Sequence, residues 1–160
     1  MRDTDLLQLA LGLAPPWRVV SCQFDAEKRR LDIGLDFPRG SRFPCPSCGQ
    51  GDCPVHDTEP KSWRHLNFFQ HEAHLVARVP RIRCSRCVVL QVTVPWALPG
   101  SGFTLLFEAY IVIPAQAMPV KRIAELIGEH DTGLWRVLKY YVGVARLTFD
   151  KFHVLELLNT

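Results

Sequence analysis

Several things are missing from this sequence, and each absence removes a class of function. No apolar run approaches the ~20 residues that a membrane-spanning helix needs. Met1 to Leu13 carries Asp3 and Asp5 where a secretory leader would carry basic residues, so the chain reads as cytosolic. The glycine-rich phosphate loop, the G-x-S-x-G elbow and the H-E-x-x-H helix are all lacking, and the six histidines are scattered. Lysine is scarce, with 5 against 14 arginines. Guanidinium is the better bidentate partner for phosphate and for guanine edges. Disulfides are not expected in a reducing compartment, so the six cysteines need another explanation.

Four of them supply it. Cys45/Cys48 and Cys84/Cys87 are two C-x-x-C knuckles flanked by turn residues. Two intervening residues let one tight turn aim both sulfurs at one metal, and two such turns complete a closed tetrahedral Zn2+ shell. Such a site holds a fold and leaves no open position for catalysis. A second way to write the ligands is the local series Cys45, Cys48, Cys53 and His56, which would strand the second knuckle. Cys22, inside the run Trp17 to Phe24, reads as a small buried side chain. The 35 residues between Cys48 and Cys84 exceed the usual ribbon interval, which an inserted β-hairpin would explain.

The net charge is +3, but its distribution is uneven: residues 61–90 hold six basic side chains and one acid, and the segments on either side are near neutral. The excess lies on the stretch leading into the second knuckle, where a nucleic-acid surface around a zinc module would put it.

The hairpin is written in two runs of strand-forming residues, Trp63 to Phe69 and Glu72 to Val79, the second alternating, with Gln70 and His71 between them and Pro80 expected to break the ladder. Arg81 and Arg83 then share a face beside the metal. Upstream, Arg18 to Phe24 and Arg29 to Phe37 form another expected hairpin, preceded by a short helix near Leu6 to Leu11. After Pro95, Pro99 and Gly100 the character turns helical, first over Phe103 to Ala115 and then in two helices from Pro119 onward. With Val120 as its first position, a helix-turn-helix frame places Ala124 at the close approach and Gly128 in the turn. Ile123, Ile127, Leu134 and Val137 fall in its core, and Asp131 or Thr132 can cap the second helix. Glu129 departs from the frame, standing where an apolar residue is usual. In this frame Thr132, Arg136 and Lys139 face a major groove, while Lys121 and Arg122 meet phosphates. Trp135, Tyr140 and Tyr141 are spaced for the core or an interface, and His65 reads as a half-buried strand histidine.

The fold class is therefore α+β: a small zinc-stapled antiparallel β module of zinc-ribbon type, then an α-helical helix-turn-helix region. The expected segments are an N-terminal helix and hairpin at 1–40, the zinc module at 41–95, the helical region at 96–150 with the helix-turn-helix near 119–144, and a linker helix at 151–160.

The series CPSC at 45–48, SWRHL at 62–66, ARVPRIRCSRC at 77–87 and VPWALPGSGFT at 94–104 resembles the N-terminal region of bacterial insertion-sequence transposases of the ISL3 family. The resemblance covers about residues 40–145. It implies structural Zn2+ on Cys45, Cys48, Cys84 and Cys87, and recognition of double-stranded DNA at the terminal inverted repeats of a transposon. Arg64, Arg81, Arg83, Arg86, Lys121, Arg122, Thr132, Arg136 and Lys139 are the DNA-facing candidates. Family members continue into an RNase H-type catalytic domain with three metal-holding acids. Here the sequence stops at Thr160, Asp150 is not given a catalytic role, and only Glu156 follows it, so no strand cleavage is expected of a truncated or relic chain of this kind. Expected partners are transposon ends, a second copy or an intact transposase, with no membrane and no small-molecule substrate, in a nucleoid-associated cytoplasmic setting. The alternative is a protein-interaction or dimerisation module using the apolar helices Phe103 to Ala115 and Leu134 to Leu158.

Overall fold

The computed structural model describes residues 2–148. They fall into two compact units that divide between Thr104 and Leu105. The expected linker helix at 151–160, with Asp150 before it, lies outside the described residues.

The first unit opens on helix α1 (Asp3–Ala10). Gln8 ties that helix to the sheet, donating to the Leu13 carbonyl at 2.9 Å and accepting the Val19 N–H at 2.7 Å. Both expected hairpins form: β1 (Arg18–Asp25) pairs antiparallel with β2 (Arg30–Asp36), and β4 (Cys53–Phe68) with β5 (His71–Cys84). The short β3 (Arg42–Phe43) lies against the start of β4, and β6 (Val88–Gln91) against the end of β5.

The strand order is β1-β2-β5-β4-β3, and the β2–β5 seam is parallel, running from Arg30 opposite Glu72 to Leu35 opposite Ala77. The N-terminal hairpin and the cysteine-bearing strands thus share one sheet. Alternation explains the seam: Leu31, Ile33 and Leu35 of β2 are buried, as are Ala73, Leu75, Ala77 and Val79 of β5. Burial of a Leu or Ile side chain is worth roughly 1.5–3 kcal/mol, which outweighs the slightly poorer hydrogen bonding of a parallel pair. Aromatic rings fill the rest of this core. Trp96 meets Trp17 edge-on at 4.8 Å and Trp63 at 5.4 Å, and Phe37 meets Phe43 at 5.2 Å.

Pro80 does not break the ladder. It sits within β5, opposite Thr58, because β2 pairs with β5 only up to Ala77 and β6 only from Arg81. The missing N–H falls in the gap between those partners, and the Pro80 carbonyl still takes the Val92 N–H at 2.9 Å.

In the second unit, α2 (Leu105–Val112) is shorter than the expected helix to Ala115, since Pro114 lacks the N–H needed to continue it and starts a 3-10 turn at Pro114–Gln116. Helices α3 (Val120–Ile127) and α4 (Asp131–Thr148) follow. Gly128 joins them at φ 71, and the Gly128 and Glu129 N–H groups both reach the Ala124 carbonyl. This left-handed closure is a glycine position, and the Glu129 backbone completes it. Ile123, Ala124, Ile127, Leu134 and Val137 are buried as the frame requires, joined by Leu138, Phe107 and Ile111. His130, rather than Asp131 or Thr132, caps α4: its carbonyl takes the Gly133 N–H at 3.0 Å and its Nδ1 the Thr132 N–H at 3.4 Å.

Candidate functional site

The four knuckle cysteines meet where the β3–β4 loop faces the end of β5. Their sulfurs all lie within 4.8 Å of one another, with Cys48 and Cys84 3.6 Å apart. Four sulfurs about 2.3 Å from one tetrahedral ion would stand about 3.8 Å apart. Backbone geometry makes each turn. Cys45 N–H donates to the Gln50 carbonyl at 2.8 Å and Gly49 N–H to the Cys45 carbonyl at 3.0 Å, with Gly49 at φ 73. In the second knuckle Arg86 N–H points at the Cys84 sulfur, 3.5 Å away. That donor, more than any other group, draws the Cys84 thiol down to about 6, whereas its hydrogen bond with Cys48 and then burial push Cys87 up to about 11. Such a crowd of thiols is one that a bound cation deprotonates outright. Bound by four thiolates, zinc offers no open coordination position and acts as a cross-link between the two turns.

The competing local ligand set does not assemble. His56 is exposed, with its Nδ1 3.1 Å from Arg83 Nη2. Cys53 is buried beside the cluster but outside it, its S–H directed to the Gln50 carbonyl at 3.5 Å; burial first, and then Cys84, raises its pKa. Gln50 is a residue that sequence reasoning missed. Its carbonyl serves Cys45 and Cys53, and its Oε1 lies 3.5 Å from the Cys84 sulfur and 3.0 Å from Ser85 Oγ. Its place two residues after Cys48 was the only signal.

The second unit presents one continuous face. Thr132, Trp135, Arg136, Lys139, Tyr140 and Gly143 are exposed along α4, spaced three and four residues apart, while Leu134, Val137 and Leu138 turn inward. Trp135 and Tyr140 therefore stand among the basic residues at the surface. Tyr141 turns the other way and donates to Glu108 Oε2 at 2.8 Å; burial and then that carboxylate push it up to about 12.

Residues 41–87 match the model for the zinc-finger of transposase IS204/IS1001/IS1096/IS1165, and residues 92–142 match the helix-turn-helix domain of transposase family ISL3. Together the two matches take in more than half of the chain. The chain belongs to the ISL3 transposase family. No curated protein and no solved structure matches it. As an ISL3 zinc finger, the four-cysteine cluster is a structural zinc site. Among the described residues no other group of His, Cys, Asp or Glu converges in this way, and no helix is long and apolar enough to cross a membrane.

The structure sorts the basic candidates of this ISL3 chain into three kinds. Arg83 and Arg86 are exposed near the zinc site, and Lys121, Arg122, Arg136 and Lys139 are exposed on α3 and α4, with Arg122 3.2 Å from Glu125. Arg81 is half-buried and already bound to Asp57, at 2.6 Å through its Nε, and to Glu59 at 3.5 Å, which holds the Asp57 carboxyl below its ordinary range. Arg64 was expected to face DNA, but only 3% of it is exposed. Its guanidinium donates to the His65 carbonyl at 2.6 Å, Asn67 Oδ1 at 2.6 Å and the Ala73 carbonyl at 3.4 Å. Its backbone bonds Gly102 and Thr104, which run as a short parallel bridge along the outer edge of β4. Arg64 is thus a structural residue. His65 is the half-buried strand histidine expected, 2.9 Å from Thr104 Oγ1.

Proposed function

We propose that this ISL3-family chain binds double-stranded DNA at the terminal inverted repeats of an insertion sequence and performs no strand chemistry with its own residues. The observation that carries the reading is the exposed face of α4, which sets Thr132, Arg136 and Lys139 in one row behind the Gly128 turn. A helix presented in this way fits a major groove, and its polar tips reach base edges. Trp135 and Tyr140 flank the row and supply apolar contact. Lys121 and Arg122, with Arg83 and Arg86 near the zinc site, neutralise phosphates and fix register. Zinc keeps the second pair of arginines on a defined surface. The setting is the bacterial cytoplasm, on the nucleoid.

One observation favours an additional protein partner, either a second copy or an intact transposase. Leu106, Tyr110 and Ile113 form an exposed apolar stripe along α2 and the residue after it, at helical spacing. The test of the DNA reading is a gel shift of the full chain on inverted-repeat ends against a scrambled duplex. Preference for the ends, lost in Arg136→Ala/Lys139→Ala, is expected; equal retardation of both duplexes would reduce the reading to non-specific binding.

A further inference from the structure

We propose that Cys53 is a reserve zinc ligand that takes the place of Cys48 when Cys48 is lost from the site. The inference rests on the zinc centre and not on the DNA reading, so either can fail without the other. Its basis is an asymmetry among five thiols. Cys45 and Cys84 are each 3% exposed and Cys53 is 2% exposed, Cys87 is half-buried, and Cys48 alone of the five stands exposed, on the loop between β3 and β4. The outermost ligand is the one that alkylating agents and oxidants reach first.

Cys53 is placed to succeed it. It is the first residue of β4, held in register opposite Phe43, so its main chain belongs to the sheet while the loop from 44 to 52 carries Cys45 and Cys48. Gln50 spans the distance between the thiols: the carbonyl that accepts from the Cys53 sulfur also accepts the Cys45 N–H at 2.8 Å, and the side chain of the same residue touches Cys84 at 3.5 Å. The Cys53 thiol meets that of Cys84, and its contacts to the backbone are long and cheap to give up, 3.5 Å to the Gln50 carbonyl and 3.9 Å to the Gly51 carbonyl. In the exchange the Cys48 sulfur leaves, the Cys53 S–H passes its proton to water, and the Cys53 sulfur becomes the fourth thiolate. No oxidant or reductant is consumed. His56 is no rival, because its ring faces Arg83.

Cobalt(II) substitution of the full chain reads the thiolate count through the sulfur-to-metal charge-transfer band. Cys53→Ser is expected to keep the wild-type band, and Cys48→Ser to keep it too. The double variant should lose about a quarter of the intensity, as one of four thiolates goes, and should bind metal more weakly than either single variant in a chelator competition. A Cys48→Ser spectrum equal to that of the double variant, or a Cys48→Ser chain that fails to fold with metal, overturns the proposal. So does loss of the band in Cys53→Ser, which would make Cys53 a resident ligand. A second measurement uses the wild-type zinc-loaded chain, lightly treated with iodoacetamide under native conditions and weighed intact. Molecules labelled only at Cys48 should retain zinc; their loss of zinc overturns the reserve role.

Discussion

Replacing Arg64 by methionine separates an arginine that builds this fold from arginines that serve DNA. The substitution keeps most of the apolar stem and removes a guanidinium that is 3% exposed. Hydrogen bonds from a charged donor are worth about 1.5–3 kcal/mol each. The bonds to His65 and Asn67 are short, at 2.6 Å each, and that to Ala73 is long, at 3.4 Å. Asn67 is exposed, so water replaces the donor there, and most of the loss falls on the two backbone carbonyls. Losing the 3.9 Å pairing with the half-exposed Glu72 adds a little to the cost and relief from burying a cation offsets part of it, leaving a net destabilisation of about 2–4 kcal/mol. For a unit of this size roughly 4 °C accompanies each kcal/mol, so the sheet should melt about 8–16 °C lower. Far-UV circular dichroism on zinc-loaded protein reads the change, with Arg83→Met as the control expected to stay within about 0.5 kcal/mol of wild type. If Arg64→Met melts within about 2 °C of wild type and yet weakens DNA binding, the residue contacts DNA and its structural assignment is wrong.

Gly128→Ala puts a Cβ on a backbone at φ 71 and should cost the helical unit about 1–2 kcal/mol; unchanged denaturant unfolding would mean that the turn relaxes freely. Burial, and next the Arg64 charge, lowers His65 below the ordinary histidine range. The unfolded chain therefore binds more protons, and stability should fall as pH drops through about 6.5. His65→Gln should flatten that slope in urea titrations at about pH 7.5 and pH 5.5, and an equally steep profile would refute the assignment. Cys84→Ser made together with Cys53→Ser removes a buried zinc ligand and the thiol beside it, and should abolish stoichiometric zinc by atomic absorption together with the cooperative melt of the sheet; full metal content would show that the four-cysteine site is misassigned.

The parts legible in the sequence were those governed by short-range rules. Knuckle spacing pointed to the zinc ligands, runs of strand-forming residues across short polar segments marked both hairpins, and Gly128 with its apolar neighbours marked the helix pair. What escaped depends on contacts distant along the chain. The parallel meeting of β2 with β5 joins segments some 40 residues apart, and no local pattern announces it. Pro80 stays inside β5 only because two different partners stop short of it. Arg64 alternates like a surface residue, and only the Gly102–Thr104 segment laid along β4, with the acceptors gathered around its head group, makes it internal. The exposure of Trp135 and Tyr140 was hidden for a related reason, since aromatic residues at helical spacing read as core until the buried face of α4 is known.

The central claim is that zinc orders a DNA-binding surface, and one titration addresses it directly. Fluorescence anisotropy of an inverted-repeat duplex would be followed with the full chain over a salt series, zinc-loaded, then chelated, then reloaded. If Arg83, Arg86, Lys121, Arg122, Arg136 and Lys139 each neutralise a phosphate, log K should fall with log salt at a slope of about −5. Binding should be lost on chelation and return with zinc. Absence of binding at low salt in the zinc-loaded chain, or binding indifferent to both salt and chelator, would contradict the account.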